Sequence, residues 1–230
     1  MVIKVYADGA DLEAMRAVAK NPVVRGFTTN PTLLRKAGVK DYRAFAADVV
    51  RAFPKYPVSF EVFADDADGM LHQARKITAW GEHVYVKIPV VNSRGESTAA
   101  VIAALAAEEI KLNVTAVMTM AQVDEVLAAL SDAPAVVSIF AGRIADTGRD
   151  PVPTFRHALA RRRFGHHEIL WASPRQVMDV YAASNCRCDI ITCTPELIAK
   201  LSLEGKDLTQ YSQETAKMFY DDAQAAGYKL

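Results

Sequence analysis

The amino-acid sequence predicts an α/β protein, a single (β/α)8 TIM barrel with a C-terminal helical tail. Eight short β-type runs alternate with longer helical segments, which is the pattern of strand–helix units in a parallel sheet. Polar side chains also recur where the runs end, and such barrels build their sites at the carboxyl ends of their strands. The alternative, an open doubly wound sheet, would carry a glycine-rich phosphate loop after the first strand, and the sequence has none there.

Hydrophobic runs and turn signals predict the first four units. Asp11 can cap the helix after the first run, from about Leu12 to Ala19. Pro31 opens the helix after the second run, at a position where proline is tolerated. Apolar residues at helical spacing predict a further helix over Tyr42–Phe53. The four runs are Ile3–Ala7, Val24–Thr28, Val58–Phe63 and His83–Pro89, and helices follow the last two near Asp66–Trp80 and Ser97–Glu108.

The last four units are predicted in the same way. The sixth run leads into a polar loop, Gly142–Asp150, before a helix over about Pro153–Arg163. Pro195 opens a short helix after the eighth run, and an amphipathic tail covers about Leu208–Ala226. The four runs are Lys111–Val117, Ala135–Phe140, Glu168–Ala172 and Asp189–Cys193, and helices near Ala121–Leu130 and Arg175–Ala183 follow the fifth and seventh.

The composition favours a single domain and gives no indication of a nucleic-acid or membrane partner. The chain has 230 residues, 51% of them hydrophobic, and no composition break, so we expect one barrel domain over 1–230 with a tail at 208–230. The 27 basic and 27 acidic residues balance, which gives no charge-based reason to expect nucleic acid or an acidic membrane as partner. No apolar run approaches the ~20 residues that span a bilayer, and the start does not resemble a signal peptide. We therefore expect a cytoplasmic protein.

Cysteine and histidine spacing gives no reason to expect a disulfide framework or a metal site. The three cysteines, Cys186, Cys188 and Cys193, are odd in number and lack the paired spacing of zinc sites. The adjacent pair His166 and His167 has no accompanying set of ligands.

The fourth run, HVYVKIP, contains a lysine within an apolar strand. Period two places Val84, Val86 and Ile88 on one face and Tyr85 and Lys87 on the other. A buried ammonium without a partner tends to become neutral, and a neutral lysine can attack carbonyls to form a Schiff base. The alternative is a lysine that extends to solvent from an exposed edge strand.

The same alternation places other polar side chains toward the barrel interior near the strand ends. With Lys87 fixed as inward, the apolar side chains of the other strands face the helices and polar ones face inward. A cluster of ionisable groups favours a functional site over an ordinary polar barrel mouth. The expected cluster is Asp8, Asn30, Glu61, Lys87, Asn113, Thr115 and Ser138.

Five motifs in order along the chain resemble the transaldolase family, and its short branch that includes fructose-6-phosphate aldolase in particular. They cover essentially the whole chain, and their combination is specific although TTNP or KIP alone would be weak. The motifs are GFTTNPTLL (Gly26–Leu34), VKIP (Val86–Pro89), LNVTAV (Leu112–Val117), SIFAGRI (Ser138–Ile144) and WASPRQ (Trp171–Gln176).

The resemblance implies a class I aldolase-type barrel that needs no metal or organic cofactor. It assigns the Schiff-base nitrogen to Lys87 and proton transfer in the carbonyl steps to Asp8. Removal of the C4 hydroxyl proton falls to Glu61, through a water held by Thr115. Residues expected to bind the substrate are Thr29, Asn30, Asn113, Ser138, Phe140, Arg143, Ser173 and Arg175.

Three positions bear on the reaction and the substrate. At positions 61 and 140 the chain has Glu61 and Phe140, the residue types of transaldolases, whereas fructose-6-phosphate aldolases have glutamine and tyrosine there. The seventh loop is shorter than the family's usual one, because Ser173 is followed directly by proline and Arg175. A phosphate-binding cation is therefore missing, or Arg175 replaces it beside Arg143.

The leading hypothesis is a transaldolase in carbohydrate metabolism that moves a dihydroxyacetone unit from a ketose, or ketose phosphate, to an aldose. The alternatives are an aldolase that releases dihydroxyacetone, an enzyme for an unphosphorylated or otherwise modified sugar, and a sugar-phosphate-binding barrel without catalysis. The resemblance also implies a homo-oligomer, a pentamer or decamer. The helical tail, with Tyr211, Met218 and Phe219 on roughly one face, would then contact a neighbouring copy.

Overall fold

The computed structural model describes residues 3–229 and shows eight parallel strands closed into a barrel in chain order. This confirms the predicted fold class. The ends of the predicted ranges 1–230 and 208–230, namely Met1, Val2 and Leu230, lie outside the described residues. The strands are β1 (Lys4–Asp8), β2 (Val24–Thr28), β3 (Val58–Glu61), β4 (Val84–Pro89), β5 (Leu112–Val117), β6 (Ala135–Ile139), β7 (His167–Trp171) and β8 (Ile190–Cys193).

Helices connect the strands, and short polar side chains begin several of them. Asp11, Asn30, Asp41, Asp66 and Thr119 each accept a hydrogen bond from a backbone N–H of the first helical turn. The helices are α1 (Leu12–Val18), α2 (Pro31–Lys36), α3 (Tyr42–Ala52), α4 (Ala67–Thr78), α5 (Ala99–Ala107), α6 (Met120–Leu130), α7 (Ala141–Ala145), α8 (Val152–Arg161), α9 (Met178–Asn185), α10 (Pro195–Lys200) and α11 (Leu208–Ala226).

The main core lies between the sheet and its surrounding helices. Apolar strand residues such as Phe60, Val86 and Val114 are fully buried there. Phe155 of α8 stacks on Trp171 of β7 with ring centroids 4.3 Å apart. Burying such a side chain stabilises the fold by about 1.5–3 kcal/mol.

A smaller core fills the barrel interior. Its buried members are Tyr6, Val136, Leu170, Ala172 and Ile190. Gly26 of β2 admits the ring of Tyr6, because a Cβ there would lie 2.7 Å from the Tyr6 Cζ. These side chains fill the barrel beneath its carboxyl-end mouth.

The polar loop predicted over Gly142–Asp150 is wrong in its first part, which forms α7. Ala141 and Ile144 are buried, and the Ile144 N–H donates to the Phe140 carbonyl at 3.0 Å. In the sequence, Ala141 and Ile144 stand among glycine, arginine and aspartate residues, so the pattern indicates a polar loop. Burial of Ala141 and Ile144 adds to the favourable helix propensity of the alanines in this short segment and stabilises the turn.

The chain divides into a barrel unit that ends at Ile198 and a C-terminal unit that begins at Ala199. The C-terminal unit contains α11, which starts at the capping residue Asp207 and ends at Gly227 in a left-handed conformation. No residue of α11 among those described is buried. Its exposed large hydrophobic residues are Leu208, Tyr211, Met218, Phe219 and Tyr220.

Candidate active site

A cavity of about 460 Å³ opens at the carboxyl ends of the strands. Strands, the start of α2 and the segments after β6 and β7 contribute to its wall. Nine of the twelve site residues predicted from the sequence line it, namely Asp8, Asn30, Glu61, Lys87, Thr115, Ser138, Phe140, Arg143 and Ser173. The other lining residues are Thr28, Pro31, Thr32, Leu33, Ala116, Ala172 and Thr192.

Lys87 on β4 reaches this cavity from a strand whose neighbouring residues Val86 and Ile88 are fully buried. Only 6% of Lys87 is exposed. Its Nζ donates to the Thr29 carbonyl at 2.8 Å and lies 3.1 Å from Glu61 Oε2. Glu61, which the sequence places in the same cluster, thus supplies a counter-charge to the Lys87 ammonium. Pairing allows the strand to bury a charge that would otherwise cost several kcal/mol.

Glu61 is placed by strand register and by a tyrosine from α3. Glu61 of β3 pairs directly with Lys87 of β4, so the two side chains share one face of the sheet. The Tyr42 hydroxyl accepts from the Glu61 N–H at 2.9 Å and donates to the Glu61 carbonyl at 3.2 Å. Burial raises the pKa of Tyr42, so its hydroxyl stays neutral and holds the Glu61 backbone through both hydrogen bonds. The sequence pattern gave no indication of this role.

Asp8 at the end of β1 is the second carboxyl of the cavity. The Thr28 hydroxyl donates to Asp8 Oδ1 at 2.8 Å, and the Asn30 amide donates to Oδ2 at 3.4 Å. Thr28 also shares a hydrogen bond with the Thr192 hydroxyl of β8. Burial raises the pKa of Asp8, although the Lys87 ammonium and the Thr28 hydrogen bond act in the opposite direction.

Asn113 and Ser138 form polar contacts in the barrel interior. The Asn113 amide donates to Ser59 Oγ at 2.9 Å, while Ser138 Oγ donates to Asn113 Oδ1 at 2.6 Å. Asn113 is 1% exposed and does not line the cavity. Its place in the structure is therefore beneath the cavity, where it fixes the position of Ser138.

The Thr115 hydroxyl faces the cavity at an irregular point of β5. Register between β5 and β6 shifts between Val114 and Val117, and Ala116 has a φ of +61°. The Thr115 hydroxyl oxygen is buried and makes no hydrogen bond with the part of the chain that the structure describes. It is thus available to a water or a substrate hydroxyl.

Arg143 and Ser173 lie at the rim of the cavity, while Arg175 does not line it. Arg143 is exposed on α7. Gly142 lets the seventh loop pack tightly on α7, since a Cβ there would lie 1.7 Å from the Ser173 carbonyl oxygen. Arg175 pairs instead with Asp146, with 2.5 Å between guanidinium and carboxylate. Thr29 is also absent from the cavity wall, because its side chain is fully buried and donates to the Ser59 carbonyl.

Thr28 and Thr192 are lining residues that the sequence reasoning missed. Both face inward by the period-two rule, and Thr28 pairs in register with Asp8. The signal was available in TTNP, where Thr28 immediately precedes the residues that were identified.

Within residues 3–229, no group of three or more His, Cys, Asp or Glu side chains is arranged to hold a metal ion. Over that same span, no helix combines the length and apolar character needed to cross a membrane.

Comparison with known proteins gives a consistent family assignment. A family model described as "Transaldolase/Fructose-6-phosphate aldolase" matches residues 5–230. A Streptococcus agalactiae protein named "Probable transaldolase" is 32% identical over 202 residues, which cover 86% of this chain and 89% of that protein. A Roseiflexus protein of the same name is 35% identical over 83% of this chain and 85% of its own length. One from Dehalococcoides mccartyi is 37% identical over 64% of this chain, and the match spans 65% of that protein.

Solved structures with low sequence identity share the fold. A structure of 3-hexulose-6-phosphate synthase gives a TM-score of 0.59 at 17% identity and covers 84% of this chain and 90% of that one. A structure described as "Native KDPGal" gives 0.58 at 10% identity and covers 99% and 97% of the two chains. These likenesses support the barrel architecture.

Proposed function

This chain belongs to the transaldolase/fructose-6-phosphate aldolase family, and from that premise we propose how its cavity carries out the reaction. The enzyme transfers a dihydroxyacetone unit from a ketose to an aldose acceptor through a Schiff base on Lys87. The observation that carries the proposal is the buried Lys87 ammonium, 3.1 Å from the Glu61 carboxylate at the cavity. A lysine with a nearby base can become the neutral amine that attacks a carbonyl.

The first stage forms the covalent intermediate. Lys87 passes a proton to Glu61, and the neutral Nζ adds to C2 of the ketose. The new C2 oxygen takes that proton back from Glu61, and the nitrogen passes its surplus proton to Asp8, which gives a carbinolamine and restores the Glu61 carboxylate. The carbinolamine hydroxyl leaves as water after it takes a proton, which Asp8 supplies, and a C=N iminium remains. The raised pKa of Asp8 supports this role, because a carboxyl must hold a proton part of the time to donate it.

The second stage breaks the carbon–carbon bond. A water bound between Thr115 and the Glu61 carboxylate removes the C4 hydroxyl proton, and the C3–C4 bond breaks as an aldehyde forms. The bonding electrons move into the iminium and give a neutral enamine. The free Thr115 hydroxyl supports this role, since it faces the cavity and has no competing partner among the described residues.

The third stage completes transfer. The enamine attacks the acceptor aldehyde, the new alkoxide recovers a proton, and water hydrolyses the iminium to free the ketose product and Lys87. Phe140 lines the cavity and has no proton to give to the enamine carbon. An enamine that is not protonated waits for the acceptor, which favours transfer over release of dihydroxyacetone.

A reductive trapping experiment tests the proposal. Borohydride added in the presence of a ketose should label Lys87, and mass spectrometry of the peptide would locate the label. Lys87→Met should abolish both labelling and transfer. Lys111→Met is the matched control, because that ammonium contacts the Glu82 carbonyl at the start of another strand. Full transfer activity in folded Lys87→Met would refute the mechanism, and the absence of any labelled lysine would favour a binding protein without catalysis.

The second candidate is an aldolase that releases dihydroxyacetone. It uses the same Lys87 chemistry up to the enamine, so the two functions differ in the fate of that species. Product analysis with and without an acceptor aldehyde separates them. Release of dihydroxyacetone at the full rate without acceptor would favour the aldolase.

We also propose a cytoplasmic homo-oligomer in which α11 contacts a second copy of the chain. The exposed Tyr211, Met218 and Phe219 support this, because soluble proteins rarely leave such clusters uncovered. A pentamer or decamer is the assembly expected from the family resemblance. Light scattering on the purified protein would measure the mass, and Phe219→Glu should reduce it. A wild-type monomer would refute the assembly.

A further inference from the structure

The charges that line the active-site cavity are balanced. Its ionisable lining residues are Asp8, Glu61, Lys87 and Arg143. Lys87 is held at the floor by Glu61 and the Thr29 carbonyl. Lys87 and Arg143 are the cations that line the cavity in the described part of the chain. Because Lys87 is engaged at the floor, Arg143 is the one that can contact the distal end of a sugar. It does so from an exposed position, where a charge pair contributes little.

A second guanidinium lies close to that rim but is directed elsewhere. Arg175 pairs with Asp146 at 2.5 Å and lines a separate outer cavity of about 230 Å³. The Arg175 backbone N–H donates to the Asp179 carboxylate, which fixes the start of its segment. Arg175 Nε would lie 3.1 Å from a Cβ at Gly142, the residue before Arg143. Arg175, from the loop after β7, therefore lies beside α7, which carries Arg143, and the two arginines line different cavities.

The chemistry of a sugar's distal end follows from this arrangement. A phosphate dianion is bound best by several guanidinium N–H donors in a bidentate geometry, or by more than one cation. A hydroxyl terminus needs only single donors and acceptors. Arg143, Ser173 and Thr32 can supply these around the rim.

We propose that this cavity takes ketose donors without depending on a terminal phosphate, and that the Asp146–Arg175 ion pair keeps the second cation away from it. This deepens the proposed function and rests on it. Asp146 acts as a specificity-determining residue through Arg175, since neither lines the active-site cavity. Release of Arg175 would place two guanidinium groups beside the distal end of the donor.

The wild-type enzyme gives the first test. Transfer to erythrose, which yields the same seven-carbon ketose from either donor, is measured with fructose and with fructose 6-phosphate as donors, and each kcat/KM is expressed per open-chain ketose. We expect the phosphorylated donor to be preferred by less than tenfold. A larger preference would overturn the proposal.

Variants at the ion pair give the second test. Asp146→Asn should raise the preference for fructose 6-phosphate at least fivefold, mainly through a lower KM. The double variant Asp146→Asn, Arg175→Gln should return to the wild-type preference. Asp150→Asn is the matched control, because that carboxylate caps the Val152 N–H in the same outer cavity. An unchanged preference in Asp146→Asn, or a rise that persists without Arg175, would refute the role of the pair.

Borohydride trapping distinguishes failure of this inference from failure of the proposed function. If neither donor labels Lys87, the Schiff-base mechanism itself is wrong. If fructose 6-phosphate labels Lys87 and saturating fructose does not, the mechanism stands and independence from phosphate is refuted.

Discussion

Replacing Glu61 with glutamine separates the two tasks that the mechanism gives to this carboxylate. Glutamine keeps the size and an acceptor oxygen for Lys87 but removes the charge and the base. Nearly buried Lys87 would then lose the carboxylate that lies 3.1 Å from its Nζ, and with it the nearest group that stabilises its charged form. We therefore expect Schiff-base formation to persist while cleavage of the C3–C4 bond slows.

The structure sets the size of both effects. At 3.1 Å the attraction between the charges is about 5 kcal/mol for an effective dielectric constant of ~20. Removing one partner of a buried pair costs about 3–5 kcal/mol, and the retained acceptor points to about 3 kcal/mol. For a domain of this size that lowers Tm by roughly 6–12 °C. Loss of a general base slows the proton-transfer step by about 10²–10⁴-fold.

Three measurements on Glu61→Gln test this reasoning. Urea unfolding reports the loss of stability, borohydride trapping reports the Schiff base, and coupled sugar analysis reports transfer. Lys87→Met is the comparison, because it should abolish trapping as well as transfer. Transfer within fivefold of wild type would refute the role of Glu61 as base, and lost trapping in a folded variant would refute the separation of the two steps.

Three further predictions concern single positions. Phe140→Tyr should raise release of dihydroxyacetone relative to transfer, as measured by product ratios with and without acceptor, and an unchanged ratio would remove the role given to this ring. Thr28→Val should move the alkaline limb of the kcat/KM profile to higher pH, because the lost hydrogen bond had lowered the pKa of Asp8, whose protonated form donates in the carbinolamine step, whereas Thr28→Ser should keep the wild-type limb. Gly26→Ala should cost about 1–3 kcal/mol of stability in urea unfolding, because the added Cβ meets the Tyr6 ring at 2.7 Å; wild-type stability would contradict this packing.

Strand alternation was enough to predict the fold and most of the cavity wall. Once Lys87 was taken as inward, period two placed Glu61 and Thr115 on the same face, and the structure places all three at the cavity. This worked because strands buried against helices on one side tolerate polar residues only on the other.

Interactions between distant segments could not be predicted in this way. The Tyr42 clamp on the Glu61 backbone joins a helix to a strand 19 residues away, and no periodic pattern encodes it. Ile144 of α7 is buried by packing against distant segments, which the sequence pattern of a short polar stretch does not reveal. The Arg175 side chain could be assigned to either of two cavities until the position of Asp146 was known.

The chain of hydrogen bonds from Ser59 through Asn113 to Ser138 has a consequence for altering the enzyme by directed evolution. These side chains come from three strands and satisfy one another in a region with little access to water. A single change at any of them leaves a buried donor or acceptor unpaired, at a cost of about 1–3 kcal/mol. Variant libraries that randomise one of these three positions at a time should therefore yield few stable variants. Libraries that vary the three positions together can contain combinations, either polar or apolar, in which every buried group is satisfied. Selection for stable variants one substitution at a time would discard the intermediates that lead to such combinations.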